Sequence, residues 1–277
     1  VIQAKITELS EIGYSASSLI SYITCPLKFY FQYILRVDSK SPLEKNIEAN
    51  TFGLAIHGVL DNIYKLFKGS KVDQNKLAGY VGNTSKMLSE EFEKLNPGTV
   101  LNSGKNLLLL EVAKSYIDRF LLWDKNNQQQ HPSLIESTEG KHITKLPKDS
   151  NVNIKGYIDR VDFDLSSGKT RIIDYKTGGK NKKVDARNSP QLNLYALALK
   201  ENPDYGKLPV KAVFFYVEKP EGEQLFEYEV EAEKVEEVKG ILEGYVKAIQ
   251  EKEFDATPEM FTCKWCQYSD ICEEAHS

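Results

Sequence analysis

The chain has 277 residues, 41% hydrophobic and 27% charged, with a formal net charge of −4. That length suits one large domain or two small ones with a core that needs no staples. The acidic balance excludes a globally basic nucleic-acid coat but leaves room for a local basic channel. No apolar run reaches the ~18 residues of a membrane span, and no secretory signal is visible, so a soluble cytoplasmic protein is expected. The first residue is Val1 rather than Met, which suggests either a domain of something longer or a processed form.

Residues 1–13 are weakly patterned and read as a strand or a leader. Tyr14–Thr24 opens with cap-competent serines and reads as a short helix. Cys25 stands before Pro26, which disfavours helix at Cys25 and suits the first turn of the next one. That helix should run to about Arg36, with Leu27, Tyr30, Phe31 and Ile34 as an apolar stripe. Residues 38–50 form a polar loop. Phe52 to about Lys68 is a strong helix with Ile56, Leu60, Ile63 and Phe67 inward, and His57 on the flank of that face. Residues 73–95 and 104–125 read as two more helices, and Asn126–Gln130 with Pro132 as a loop or linker.

From Leu134 the pattern turns to strand: Ile135–Glu139 and Lys141–Thr144 bracket Gly140, and Val152–Ile154 leads into a hairpin. Glu136 and Glu139 are candidates for the site, although a solvent-facing position suits either. The hairpin runs Gly156–Asp164, turns at Ser166-Ser167-Gly168, and returns through Thr170–Gly178. A symmetric turn that opposes residue 166 to 169 sets Asp159 across from Lys176 and Val161 across from Asp174. Residues opposed, or two apart on one strand, share a face. Asp159, Asp174 and Lys176 then converge, with about 5 to 8 Å between neighbours. A one-residue slip would scatter them.

Beyond Gly178-Gly179, the run Lys180–Lys183 with Arg187 is either a solvated loop or a phosphate-contacting rim. Ser189-Pro190 starts a helix in which Gln191 and Tyr195, four apart, share a face. Asn202-Pro203 ends it. Lys211–Val217 and Leu225–Val230 are strands, and Glu231 to about Lys252 is an amphipathic helix. The tail carries Cys263-x2-Cys266-x5-Cys272, with Phe261, Trp265 and Tyr268 placed to shield a metal centre or simply to pack. With Cys25 this makes four thiols. Disulfides fit poorly in a large chain without secretory features, so zinc or an iron–sulfur cluster is favoured over disulfides or unligated thiols.

Paired carboxylates can hold Mg²⁺ or Mn²⁺ through one or two oxygens plus water and phosphate oxygens. A lysine beside them can serve the attacking water and the transition state. The bland alternative is a surface Asp–Lys pair worth little.

Taken together, Gly53–His57, Gly156–Asp162, Ile173–Gly178 and Gln191–Ala196 resemble the motif series of RecB-type nucleases of the PD-(D/E)xK superfamily. Cys25-Pro26 with the cysteine tail is similar to the split iron–sulfur pattern of AddB-like and CRISPR-adaptation nucleases. The resemblance spans about Tyr14 to Cys272. It implies that His57, Asp159 and Asp174 bind the catalytic Mg²⁺ or Mn²⁺, with the Tyr175 carbonyl completing the set. Lys176 would serve the nucleophilic water. Gln191 and Tyr195 would position the substrate or the lysine. Cys25, Cys263, Cys266 and Cys272 would hold a 4Fe–4S cluster, with zinc as the lesser alternative.

The implied fold is α/β, a central mixed β-sheet flanked by helices with a restriction-endonuclease-like core, an N-terminal helical part and a C-terminal cysteine tail. Residues 1–277 would be one nuclease domain: 14–130 helical, 134–230 catalytic core, 231–277 C-terminal helix and tail. The expected function is metal-dependent hydrolysis of DNA phosphodiesters, exonuclease before endonuclease. DNA and a helicase subunit, or a helicase domain of the same longer chain, are the implied partners, with no membrane, in repair or recombination. The alternative is a non-cleaving DNA-binding module stabilised by its cluster. A further alternative is a zinc-stabilised protein-interaction domain.

Overall fold

The computed structural model describes residues 1–37, 47–146, 151–178, 190–200, 210–219, 223–259 and 263–273. The expected basic rim at Lys180–Lys183 and Arg187, the Ser189 cap, Asn202-Pro203 and Phe261 lie outside these residues. In chain order the elements are α1 (Ile2–Ile12), β1 (Tyr14–Ser15), α2 (Ala16–Thr24) and α3 (Pro26–Phe29), which runs on as a π-turn over Tyr30–Ile34. Then come α4 (Ala49–Lys65), α5 (Gln74–Ala78), α6 (Ser85–Leu95) and α7 (Gly104–Gln130). The remainder is β2 (Ser133–Lys145), β3 (Asn153–Asp164), β4 (Lys169–Lys176), α8 (Pro190–Lys200), β5 (Val210–Tyr216), β6 (Leu225–Glu229) and α9 (Ala232–Gln250).

The strands form one mixed sheet in the order β1-β3-β4-β5-β6, with β2 paired along β3. β1 with β3 and β4 with β5 are parallel pairs, and the others are antiparallel. β4 is central and covered on both faces, which is why Thr170–Tyr175 are all buried. Alternate side chains enter two cores. Ile172 and Phe214 pack with α2, α8 and α9 on one face, and Ile173, Tyr175, Val213 and Phe215 pack with α4, α6 and α7 on the other.

Several elements differ from expectation. Residues 2–12 are helical, because Ile6 and Leu9 turn onto the first core. Tyr14-Ser15 is a short strand, and the Ser15 hydroxyl caps α2 by accepting from Ser18 N at 3.1 Å. The stretch 73–95 breaks into α5 and α6 around Gly82, which holds a left-handed φ of 75°. α7 continues through the expected loop Asn126–Gln130, since Asp124 and Gln128 are buried and pull the last turns inward.

The hairpin register is also not the expected one. Asp164 pairs with Lys169, Asp162 with Arg171 and Arg160 with Ile173, a slide of two residues. The cause lies at the turn. Asp164 Oδ1 accepts from Ser166 N at 2.9 Å, Ser166 Oγ at 2.6 Å and Ser167 N at 3.3 Å, so Asp164 closes the strand before the loop opens. Because side chains alternate with period two, a slide of two leaves every residue on its expected face.

A buried charged layer ties α7 to the sheet. Arg160, fully buried, donates to both oxygens of Asp162 at 2.6 Å and to Asp124 Oδ2 at 2.7 Å, and lies over the Tyr64 ring at 4.1 Å. Tyr64 OH also donates to Asp124 at 2.6 Å. Burial opposes ionisation of Asp124, but the Arg160 charge and these hydrogen bonds hold it below the usual carboxylate range.

Candidate active site and cysteine pocket

The regular β3–β4 ladder stops at Arg160–Ile173. One step further Asp159 comes level with Asp174, and there a side chain takes over from the backbone: Tyr175 N donates to Asp159 Oδ2 at 2.7 Å. The other Asp159 oxygen is 3.3 Å from His57 Nδ1, presented by α4. On the far edge of β3, Thr138 pairs with Arg160 and Gly140 with Ile158, so Glu139 of β2 also stands level with Asp159. Its Oε1 is 3.7 Å from His57 Nδ1. One ligand atom each from His57, Glu139 and Asp159 fits within 4.8 Å. Glu139 adopts a φ of 42°, a conformation side chains rarely take, just where it turns towards this cluster.

Asp174 belongs to the adjoining half of the site. Lys176 Nζ lies 2.5 Å from the buried Asp174 Oδ2 as an ion pair. Gln191 of α8 ties the group together. It accepts from Lys176 Nζ at 2.8 Å and donates to Asp174 Oδ1 at 3.0 Å and to Tyr195 OH at 2.7 Å. Lys176 Nζ also lies 4.9 Å from the Phe214 ring centre, a cation–π contact.

The charges are strongly coupled. Burial and the neighbouring Asp159 charge push the Asp174 carboxyl up to about 7, against the opposing pull of Lys176. Burial alone would lower His57, but the charge and hydrogen bond of Asp159, with Glu139, carry it up to about 10. A cation binding at His57 must displace that proton. Burial and the Asp174 charge raise the Tyr195 phenol, so it stays neutral.

Two motif glycines have steric reasons. A Cβ on Gly156 would stand 2.8 Å from Tyr195 Cδ1, and one on Gly53 would stand 2.8 Å from Thr177 Oγ1. Each lets a helix approach the strand end that carries the site.

The residues fit a hard divalent cation. His57, Glu139 and Asp159 supply imidazole nitrogen and carboxylate oxygen, and the Asp174 carboxylate, paired with Lys176, lies in the adjoining half. Of the expected residues, His57, Asp159, Asp174, Lys176, Gln191 and Tyr195 all meet here, and Tyr175 contributes its backbone N–H to Asp159. Glu139, which the sequence left between a site candidate and a solvent-facing strand residue, joins them. Its signal was the β2–β3 pairing, which depends on one long strand running through Gly140.

Cys25, Cys263, Cys266 and Cys272, none in a disulfide, line a single pocket with Phe31 and Tyr268. Cys25 sits at the junction of α2 and α3, where its N–H closes α2 on Ser21 O and its C=O opens α3 to Phe29 N. Cys266 N donates to Cys263 O at 3.0 Å, the turn expected of Cys-x2-Cys. Four free thiols lining one apolar pocket supply the donor set of a four-thiolate centre. Tyr268, 4% exposed, shields the pocket, whereas Trp265 is 80% exposed and does not. Around it the chain ends are tied directly. Tyr22 OH donates to Glu253 O, Thr257 Oγ1 to Thr24 O and Tyr268 OH to Val37 O, and Phe254 stacks on Tyr30 at 5.0 Å.

Comparison with known proteins agrees with this layout. The chain is 27% identical over 269 residues to an ATP-dependent helicase/deoxyribonuclease subunit of Clostridium perfringens, covering 87% of this chain and 23% of that protein. It is 26% identical over 227 residues to the Clostridium acetobutylicum protein of the same name, covering 74% and 19%. The chain thus spans about a fifth of the length of these relatives. A crystal structure from Eubacterium rectale, named as a presumed exonuclease, superposes with a TM-score of 0.51 at 11% identity, covering 98% of this chain and 89% of that one. The family model of the PD-(D/E)XK nuclease superfamily matches residues 14–273, and the chain belongs to that superfamily.

Proposed function

We propose that this chain is a metal-dependent deoxyribonuclease, an exonuclease before an endonuclease, forming the nuclease part of a helicase–nuclease that acts in DNA repair. Residues 1–277 make one nuclease domain, with 14–130 as the helical part, 134–230 as the catalytic core and 231–277 as the C-terminal helix and tail. The observation that carries the reading is the meeting of His57, Glu139 and Asp159 within 4.8 Å, beside the Asp174–Lys176–Gln191 group.

His57, Glu139 and Asp159, with the Lys176-paired oxygen of Asp174 adjoining, would hold Mg²⁺ or Mn²⁺, and the Tyr175 carbonyl would complete the set. Such an ion acidifies a bound water and neutralises charge developing on phosphorus. The protein's own share is positional. Tyr175 N–H fixes one Asp159 oxygen and thereby turns the other towards His57. Gln191 and Asp174 fix the Lys176 ammonium so that it can hold the attacking water and offset negative charge in the transition state. Tyr195, neutral and bonded to Gln191, keeps the amide from rotating.

Cys25, Cys263, Cys266 and Cys272 would hold a 4Fe–4S cluster that clasps the chain ends rather than serving as a redox centre. Visible charge-transfer absorbance together with iron and sulfide content separates it from zinc. The deciding experiment is cleavage of end-labelled single- and double-stranded DNA with Mg²⁺ or Mn²⁺. Wild type should cut, and Asp174→Ala and Lys176→Ala should not. A cluster-loaded wild type that binds DNA but cuts none with either metal would favour a non-cleaving DNA-binding module.

A further inference from the structure

Beside the catalytic strand lies a second concavity that the proposed reaction does not use. Helix α7 turns Arg119, Trp123, Asn126, Asn127 and Gln130 towards it at i, i+4, i+7, i+8 and i+11, one face of the helix, and Gln224, just before β6, closes the opposite wall. The cleft measures about 450 Å³, the size of a small-molecule pocket. Its polar groups are poorly satisfied. Gln224 is 4% exposed, yet its Nε2 has no hydrogen-bond partner, and Asn127 Nδ2 is likewise buried without one. Buried amides left unpaired in this way carry a desolvation cost that a ligand can remove.

The lining also has a flat wall and a sign. Trp123 rests on Phe120 and Phe215, at ring-centre distances of 5.5 and 4.7 Å, which hold its indole at the cleft. Among the described lining residues none is acidic, and Arg119 supplies a guanidinium. Arg119 is tied to the active strand. Its Nη1 donates to Val217 O at 3.1 Å and Lys219 O at 2.9 Å, and Val217 N donates to Lys176 O at 3.0 Å. Two hydrogen-bonded steps therefore separate the cleft wall from the backbone of Lys176.

An aromatic face, several carboxamides able to present donor or acceptor, and one fixed cation suit a flat ligand with a mixed donor–acceptor edge and a nearby negative charge. A nucleobase with its phosphate has that chemistry, and its edge is free only when unpaired. We propose that this cleft binds an unpaired nucleobase, stacked at Trp123, its edge read by Asn127 and Gln224, its phosphate beside Arg119. The base comes from a DNA strand near the active site or from a free nucleotide. The proposal rests on the nucleic-acid reading of the neighbouring site.

The test uses the 277-residue chain carrying Trp265→Phe, which leaves Trp123 as the one tryptophan of the two in the sequence. With EDTA present to prevent cleavage, its emission is titrated with a single-stranded deoxyadenosine oligonucleotide, with an abasic oligomer of equal length, and with dAMP. A saturable change with the oligonucleotide and none with the abasic oligomer is expected. Gln224→Met and Asn127→Ala should each raise the dissociation constant by about fivefold or more. Should Gln224→Met fail to fold, Asn127→Ala on the helix face carries the test. Tighter binding of the oligonucleotide than of dAMP assigns the cleft to a strand, and equal affinity per base assigns it to free nucleotide. An unchanged emission, an equal response to the abasic oligomer, or amide variants that bind as well as wild type would overturn the proposal. Since no cleavage is needed, a separate Mn²⁺ assay on the same protein judges the nuclease reading independently.

Discussion

In the proposed reaction Glu139 and Lys176 would have different jobs, and their variants should part company. Glu139 faces His57 across the ligand cluster, whereas Asp174 holds Lys176 and Gln191. Glu139→Gln should weaken Mn²⁺ binding by at least about tenfold, read by calorimetry, while cleavage recovers at high metal concentration. Lys176→Ala should lower the cleavage rate by about 10²- to 10⁴-fold at saturating metal, because no concentration of cation replaces the ammonium. Equal metal dependence in the two variants would contradict this division. Gly156→Ala tests the packing beneath them. Its Cβ would stand 2.8 Å from the Tyr195 ring, so a destabilisation of about 1–3 kcal/mol is expected in urea melts.

The hairpin and α7 bring elements into the account. The turn hydrogen bonds from Ser166 and Ser167, acting against burial, hold Asp164 down at about 2 against an ordinary 3.8, with His131 Nδ1 3.6 Å away. A depressed carboxylate contributes stability that is fully present above its unfolded value and is lost as pH falls from about 4 towards 2. Asp164→Asn should therefore flatten that limb of a stability–pH curve and leave the slope above pH 5 unchanged.

Much of this arrangement was legible in sequence, and for identifiable reasons. Face parity survives a slide of two residues, so the convergence of Asp159, Asp174 and Lys176 was readable although the partner of each strand residue was not. Gln191 and Tyr195 were readable because helical spacing places them together. What was left open or missed depends on distant pairing. Glu139 reaches the site through the β2–β3 ladder, and Asn126–Gln130 stays helical because buried Gln128 donates to Asp124. Neither fact is local to its own residues.

At the scale of the whole molecule, the two cores are separated by the sheet and joined to it by buried charge. Arg160→Met would leave buried Asp124 without its ion-pair partner, while Asp162 keeps Arg171 at 3.0 Å, and a loss of about 3–5 kcal/mol is expected in chemical unfolding. Cys25→Ser should abolish the visible absorbance of the loaded protein. It should also lower its melting temperature, since the cysteine pocket joins the head of α3 to the C-terminal tail. Among the described residues no helix is long and apolar enough to cross a membrane.

The ties between the chain's two ends have a kinetic consequence. Tyr22 to Glu253 and Tyr268 to Val37 each bridge 231 positions. Contacts so remote in sequence form after most of the chain is already in place, because closing such a loop early is entropically costly. Strengthening them should then leave the folding rate nearly unchanged and slow unfolding instead. A stopped-flow comparison of cluster-loaded and cluster-free protein should move the unfolding limb of the chevron alone. A cluster at this pocket would then act as a lock on lifetime, keeping the ends from fraying apart.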